Sequence, residues 1–375
     1  MLFFAKIGNS KGISFNVQNR LQNILRILRP KDPPLVGIDL TSTVVKVLDL
    51  NETDGQIQLE NYAVVPFATH AVLEKEIKDA ASVSATIKQA LEYAKVKNKA
   101  AVIAVPSSSV ITATLQMPAD LSEEDLEGQV EVEAHKFVPY PLNEVSLDFE
   151  ILGSSKHQIG LLDVLVVASR RDYVESRVDV VEDAGLQVKV VEVESTALER
   201  VNILFERDTT ITAIIDIGAS TTSLTVLRNG RSIYTRDDLF GGNILTEEIM
   251  QHYGLSYTQA GLSKKIGDLP DDYLSNILNP FKEAILQQIN RSLQFFYSSS
   301  HYTQINQIIL AGGCAAIPHL TMFLQEKLHI PCIVANPFKH MRISSHLNTA
   351  NLHNDAPSLL LCCGLALRGL INGKY

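Results

Sequence analysis

One pattern occurs twice in this chain and limits what it can fold into. LVGIDLTSTVVKVL (35–48) and AIIDIGASTTSLTVL (213–227) share an apolar strand that ends in an aspartate, a small or apolar residue, a run of hydroxyl side chains, and a second apolar strand. Apolar alternation on either side of a short polar turn reads as the two strands of a hairpin. Core strands do not ordinarily carry Asp216, Gly218, Ala219 and the consecutive hydroxyls Ser220, Thr221, Thr222 and Ser223. That such a hairpin opens each half of the chain indicates one duplicated α/β half.

The segments around each hairpin fit this reading. NETDG (51–55) makes a second turn into QIQLENYAVV (56–65), giving an antiparallel meander. SVSATIKQALEYAKV (82–96) places Val83, Ile87, Ala90, Leu91 and Ala94 on one helical face, and KAAVIAVPSSS (99–109) is a short buried strand stopped by Pro106. Residues 108–192 are expected to form a β-α-β-β-α-β insertion. In it Ser122 and Asp125 resemble a capping box, Pro139 and Pro141 close the helix, and RDYVESRVDVVEDAGL ends at Gly185 before the strand at 188–193. The second copy continues through GRSIYTRDDLFGGNILTEEIMQHYG, a helical stretch over 272–296, the strand QIILAGGCA and the helix PHLTMFLQEKLH. The apolar run PSLLLCCGLALRGLI is expected to return as a helix on the first half. The expected domains are a tail at 1–34, a first domain at 35–107 resumed at 193–210 and 351–375, the insertion at 108–192, and a second domain at 211–350.

Composition narrows the function. The 375 residues, 46% of them apolar, can furnish two cores. A net charge of −9 gives no pull toward nucleic acid, which needs a basic face. Cys314, Cys332, Cys362 and Cys363 have neither a CxxC pair nor metal-ligand spacing with the histidines, which fits a reducing cytoplasm. The N-terminus does not read as a secretory signal, and no apolar run reaches the roughly 18 residues of a membrane span. The tail is basic: Lys6, Lys11, Arg20, Arg26, Arg29 and Lys31 stand against Asp32. Within it Val17, Leu21, Ile24, Leu25 and Leu28 make residues 16–29 a candidate amphipathic helix ended by Pro33 and Pro34. That helix either packs on its own domain or offers a surface to lipid or a partner helix. No GxxxxGK[ST], GxSxG, HExxH or EF-hand pattern occurs.

A hairpin carrying an aspartate and a glycine or hydroxyl cluster supplies what a nucleotide needs. Turn N–H groups and hydroxyls bind phosphate oxygens, small residues admit the ligand, and the carboxylate holds a hydrated Mg²⁺. Two such hairpins facing each other can clamp a phosphate chain. QIILAGGCAAIPHL adds a strand end with Gly312 and Gly313, where exposed backbone can accept a ring or a ribose.

An aspartate hairpin, an Asp-Gly hairpin, then a GG at the end of a late strand is the order of the actin, hexokinase and heat-shock chaperone superfamily, which the chain resembles over 35–375. The resemblance implies an α/β fold of duplicated, actin-like ribonuclease-H-type domains with an inserted FtsA-like (SHS2, or 1C) subdomain. AHKFVPYPLNEVSLDFEILG (134–153) with the segment at 163–201 resembles, more narrowly, the PilM family of cytoplasmic actin-like proteins of type IV pilus assembly. The division protein FtsA shares the placement of the insertion.

That resemblance implies specific roles. Asp39, Thr41, Ser42 and Thr43 match the first phosphate hairpin, and Asp216, Gly218, Ser220, Thr221 and Thr222 the second, with Asp39 and Asp216 orienting Mg²⁺ through water. Gly241, Gly242, Asn243 and Thr246 match a turn near the ribose, and Gly312 and Gly313 the adenosine loop. Glu194 matches the glutamate that positions attacking water in relatives, or is simply a carboxylate favoured at a helix N-terminus. Many relatives carry an acidic residue where TQAGLSKKIG has Gly261, which leaves Lys264 as the candidate contact. Nucleotide binding is thus better supported than turnover, with at most weak ATPase activity. The implied partner is the N-terminal peptide of the membrane protein PilN, at the inner face of the bacterial inner membrane, alongside other pilus assembly proteins or further copies of the chain. Phe137, Val138 and Tyr140 either line its groove or belong to a core. Two rival readings are a small-molecule kinase using Asp148 or Glu194 as base, and an FtsA-like filament, whose C-terminal amphipathic helix GLALRGLINGKY does not supply.

Overall fold

The computed structural model describes residues 4–5, 34–68, 70–155, 158–205 and 211–370. The candidate amphipathic helix at 16–29 lies outside them. The chain divides into two units, one of residues 1–40, 44–197 and 362 onward, the other of 41–43 and 198–361.

In the first unit β1 (Phe4–Ala5) precedes the expected meander of β2 (Val36–Leu40), β3 (Val44–Thr53) and β4 (Gln56–Pro66). Asp54 and Gly55 both take left-handed backbone (φ 54° and 75°), the geometry that lets a two-residue turn follow the strand twist. A short hairpin, β5 (Val72–Leu73) and β6 (Glu76–Ile77), leads to α1 (Ala80–Ala94). Asp79 caps α1 by accepting from Ser82 N at 3.0 Å, and the helix buries the apolar face read from its periodicity. β7 (Ala100–Val105) then lies parallel to β2.

Residues 110–170 build a separate antiparallel sheet. Its elements are β8 (Val110–Pro118), α2 (Glu123–Ala134), β9 (Val145–Ser154) and β10 (Leu161–Arg170), in the order β8-β10-β9. Met117, Leu126, Val130, Phe149 and Val166 form its own core. The capping motif is half of a box: Asp125 N donates to Ser122 Oγ (3.2 Å), while that hydroxyl donates to Asp125 Oδ2 (2.5 Å).

The insertion expected at 108–192 proves one helix and one strand too long. α3 (Arg171–Asp183) and β11 (Gln187–Val193) bury Val174, Val181, Val188 and Val191 in the core of the first sheet, and β11 pairs in parallel with β7. The strands of this sheet run β1-β11-β7-β2-β3-β4.

The duplication gives the reason. α4 (Glu194–Val201) begins in the first unit and ends in the second, which contains β12 (Ile211–Ile217), β13 (Thr222–Arg228) and β14 (Arg231–Asp238). Three helices follow, α5 (Gly242–Tyr253), α6 (Tyr257–Ile266) and α7 (Asn279–Ser299). The unit closes with β15 (Gln307–Ala311), α8 (Leu320–Leu328) and β16 (Cys332–Val334). Its order, β14-β13-β12-β15-β16, repeats β4-β3-β2-β7-β11, so α3 and β11 are the counterparts of α8 and β16. The helix expected over 272–296 starts instead as a π turn at Leu274–Leu278. Pro280, which has no N–H to donate, then stands in the first turn of α7 directly after that π turn. α9 (Thr349–Asp355) precedes α10 (Leu360–Ala366), and from residue 362 the chain belongs to the first unit, with Cys362 Sγ 3.3 Å from Gly37 O. The return to the first unit thus falls 11 residues later than the boundary expected at 351.

Candidate functional site

In the first unit, Asp39 near the end of β2 faces Lys46 on β3. Lys46 Nζ lies 2.9 Å from Asp39 Oδ2, and both side chains are 7% exposed. The pairing follows from the hairpin register. It neutralises a carboxylate that would otherwise be stranded in the core. Thr41, Ser42 and Thr43, counted with the second unit, form the turn that joins β2 to β3, with Thr43 N donating to Thr41 Oγ1 at 3.4 Å.

Glu194 opens α4 and is also tied to a lysine, its Oε2 lying 3.0 Å from Lys75 Nζ. Lys75 sits at the β5–β6 turn, where it and Glu74 adopt left-handed backbone (φ 64° and 48°). Its carbonyl accepts from Tyr173 Oη at 2.6 Å and from Arg177 Nη2 at 2.5 Å. Arg177 is buried, stacks on the Tyr173 ring, and burial draws its pKa down. Neither Lys46 nor Lys75 was expected at the site. Lys46 was readable in principle, as a charge between buried valines directly across the hairpin from Asp39. Asp148, the other carboxylate suited to act as a base, belongs to β9 of the inserted sheet.

In the second unit three glycine-bearing segments meet around Asp216. Gly218 N donates to Thr221 O (2.9 Å) across the β12–β13 turn. The start of α5 is stitched to that turn, Gly242 N donating to Gly218 O (2.9 Å) and Asn243 N to Ala219 O (2.8 Å). A Cβ on Gly241 would stand 2.5 Å from Ala219 O, so only glycine permits this approach. Gly312 has φ 83°, and a Cβ there would lie 2.4 Å from Ile217 O and 2.5 Å from Asp216 Oδ1. Gly313 is exposed and has open space beside it.

The expected ligand contacts separate into two kinds. Ser220 and Thr221 are half-buried at the turn. Thr222 and Thr246 are buried with their hydroxyls committed: Thr222 donates to Phe240 O at 2.8 Å and Thr246 to Gly242 O at 3.1 Å. These two threonines brace the backbone of the site. The first N–H groups of α5 are likewise spent on the hairpin. Lys264 Nζ donates to Thr246 Oγ1 (2.6 Å) and Gly242 O (3.3 Å), and burial lowers its pKa. Its ammonium brings positive charge to the point where the helix and the turn meet. Asn243 Oδ1 accepts from Tyr257 Oη at 3.1 Å, and Gly261 has open space beside it.

Each hairpin offers one aspartate, a hard oxygen ligand of the kind a hydrated magnesium ion takes, and one oxygen of Asp39 is committed to Lys46. Among the described residues no group of three His, Cys, Asp or Glu side chains could cage a metal. Of the three residues expected at a partner groove, Val138 is buried in the core of the inserted sheet and Phe137 packs against it, while Tyr140 is 43% exposed.

The family model for the type IV pilus assembly protein PilM matches residues 37–370. The chain is similar to a chain of the PilM–PilN type IV pilus biogenesis complex, with 24% identity over 91% of this chain and 99% of that one, and a TM-score of 0.75. It is also similar to the ethanolamine utilization protein EutJ from Carboxydothermus hydrogenoformans, with 15% identity over 90% of each chain and a TM-score of 0.56.

Proposed function

Because the chain belongs to the family of the type IV pilus assembly protein PilM, we propose that it is an actin-like scaffold of that machinery that binds ATP with Mg²⁺ and captures the N-terminal tail of PilN. The observation that carries the nucleotide half is the repeated hairpin: two sheets of one strand order each present an aspartate beside a hydroxyl-bearing turn. In this reading Ser220 and Thr221 meet phosphate oxygens, Lys264 adds positive charge, and Gly313 leaves room for a ring or ribose. Asp39 and Asp216 would each hold water of a bound Mg²⁺, which would neutralise phosphate charge. Glu194 is committed to Lys75, which supports binding with slow turnover over rapid hydrolysis.

The PilN half is supported by the likeness to a chain solved in a PilM–PilN complex. Tyr140, exposed beside the inserted sheet, is the contact this reading favours. No described helix is long and apolar enough to cross a membrane, and attachment through PilN would place the chain at the inner face of the inner membrane. Nucleotide that favours one arrangement of the chain would bias its affinity for the tail. The test is fluorescence anisotropy with a labelled N-terminal PilN peptide, with and without ATP and Mg²⁺. Binding that tightens with nucleotide is expected. Equal affinity removes the coupling, and no binding in either condition removes the scaffold.

A further inference from the structure

The row of residues by which α6 meets the start of α5 is tied down at both ends and bare in the middle. Tyr257, Gly261 and Lys264 follow at spacings of four and three, which sets them in one line along the helix. Tyr257 Oη donates to Asn243 Oδ1 at 3.1 Å, and Lys264 Nζ donates to Thr246 Oγ1 at 2.6 Å and to Gly242 O at 3.3 Å. Between these two ties Gly261 has no atom within 4 Å of the place where a Cβ would stand. Gly313 borders the same opening. The Sγ of Cys314, the next residue, lies 2.8 Å from where a Cβ of Gly242 would stand, and Gly313 itself is exposed with open space beside it.

The result is a recess floored by Gly261, with the exposed Tyr257 on one side and the Lys264 stem on the other. A flat ring entering it can stack on Tyr257, and stacking accepts any base. The polar groups at hand decide which bases are told apart. α6 (YTQAGLSKKI) contains no aspartate or glutamate, and among the described residues no carboxylate pairs with Lys264. The Asn243 side-chain carbonyl is taken by Tyr257, which leaves the amide NH₂ as the group Asn243 can offer. The recess therefore presents donors and no carboxylate. Adenine and guanine share the N7 acceptor and differ at C6, where adenine carries a donor and guanine an acceptor. Strong rejection of one by the other needs a group committed to that atom. We propose that this recess is the base site of the bound nucleotide and that it takes guanine as readily as adenine, so that the chain binds purine nucleoside triphosphates as a class. The inference rests on the reading of the two hairpins as a phosphate site.

Calorimetric titrations of ATP, GTP and inorganic tripolyphosphate, each with Mg²⁺, into the full chain and into Gly261→Leu test this. The parent should bind ATP and GTP with constants within about tenfold of each other, the spread expected where no group is committed to the 6-position. Gly261→Leu should weaken both nucleotides by about tenfold or more and leave tripolyphosphate unchanged, because its side chain occupies the place of the base and not that of the phosphates. Leucine favours a helix over glycine, and thermal melts should show that the variant keeps the fold. A parent that binds ATP more than about a hundredfold tighter than GTP overturns this inference and leaves the ATP site standing. A parent that binds neither nucleotide overturns both. A Gly261→Leu variant that binds ATP and GTP as the parent does removes the recess as the base site.

Discussion

Lys46 Nζ stands 2.9 Å from Asp39 Oδ2 across the first hairpin, with both side chains almost withdrawn from water. Lys46→Met preserves much of the packing of the stem but leaves the carboxylate buried without its cation. Breaking a buried pair from one side costs about 3–5 kcal/mol. Urea unfolding of Lys46→Met should show a loss of that order. The double variant Asp39→Asn with Lys46→Met should recover most of it, because no uncompensated charge remains.

Gly312 and Gly313 are adjacent but differ in what they tolerate. At Gly312 a side chain meets both a left-handed backbone and atoms at 2.4–2.5 Å, whereas at Gly313 nothing stands within 4 Å. Gly312→Ala should lower stability by more than about 1 kcal/mol and displace Asp216. Gly313→Ala should be close to neutral. Thermal melts of the two variants side by side check this.

Glu199 accepts from Ser232 N at 2.8 Å, and burial raises its pKa above the ordinary carboxylate range. The folded state therefore holds a proton that the unfolded state has released. Stability falls as pH rises from the unfolded toward the folded pKa. Glu199→Gln keeps an acceptor for Ser232 and removes the titration. Urea unfolding between about pH 4 and pH 7 should show a shallower decline in the variant than in the parent.

All four cysteines are buried, and burial pushes the Cys314 and Cys332 thiols up to about 11. The thiolate is the reactive species. Iodoacetamide at neutral pH should label the native protein slowly at every cysteine and the urea-unfolded chain quickly, with mass spectrometry reading each site.

Local chemistry was readable from sequence, and long-range commitment was not. The meander, the α1 face and the repeated hairpin follow from short-range alternation and turn residues. That β11 joins the first sheet depends on parallel pairing with β7 across the whole inserted sheet, which no local pattern records. Thr222 and Thr246 show the same limit at the site. A hydroxyl that binds a ligand and one that caps a buried carbonyl are the same residue type, and burial decides between them. The grip of Arg177 on Lys75 O joins residues 102 apart. Lys46 marks the boundary between the two kinds: the turn sets its register against Asp39, so its role follows once the hairpin is accepted.

The most direct test of the central claim is a calorimetric titration of ATP with Mg²⁺ into the folded protein, beside an Asp216→Ala variant of matched thermal stability. Saturable binding by the parent that is lost in the variant is the predicted result. A folded parent that takes up no ATP, or a variant that binds as well as the parent, would contradict it.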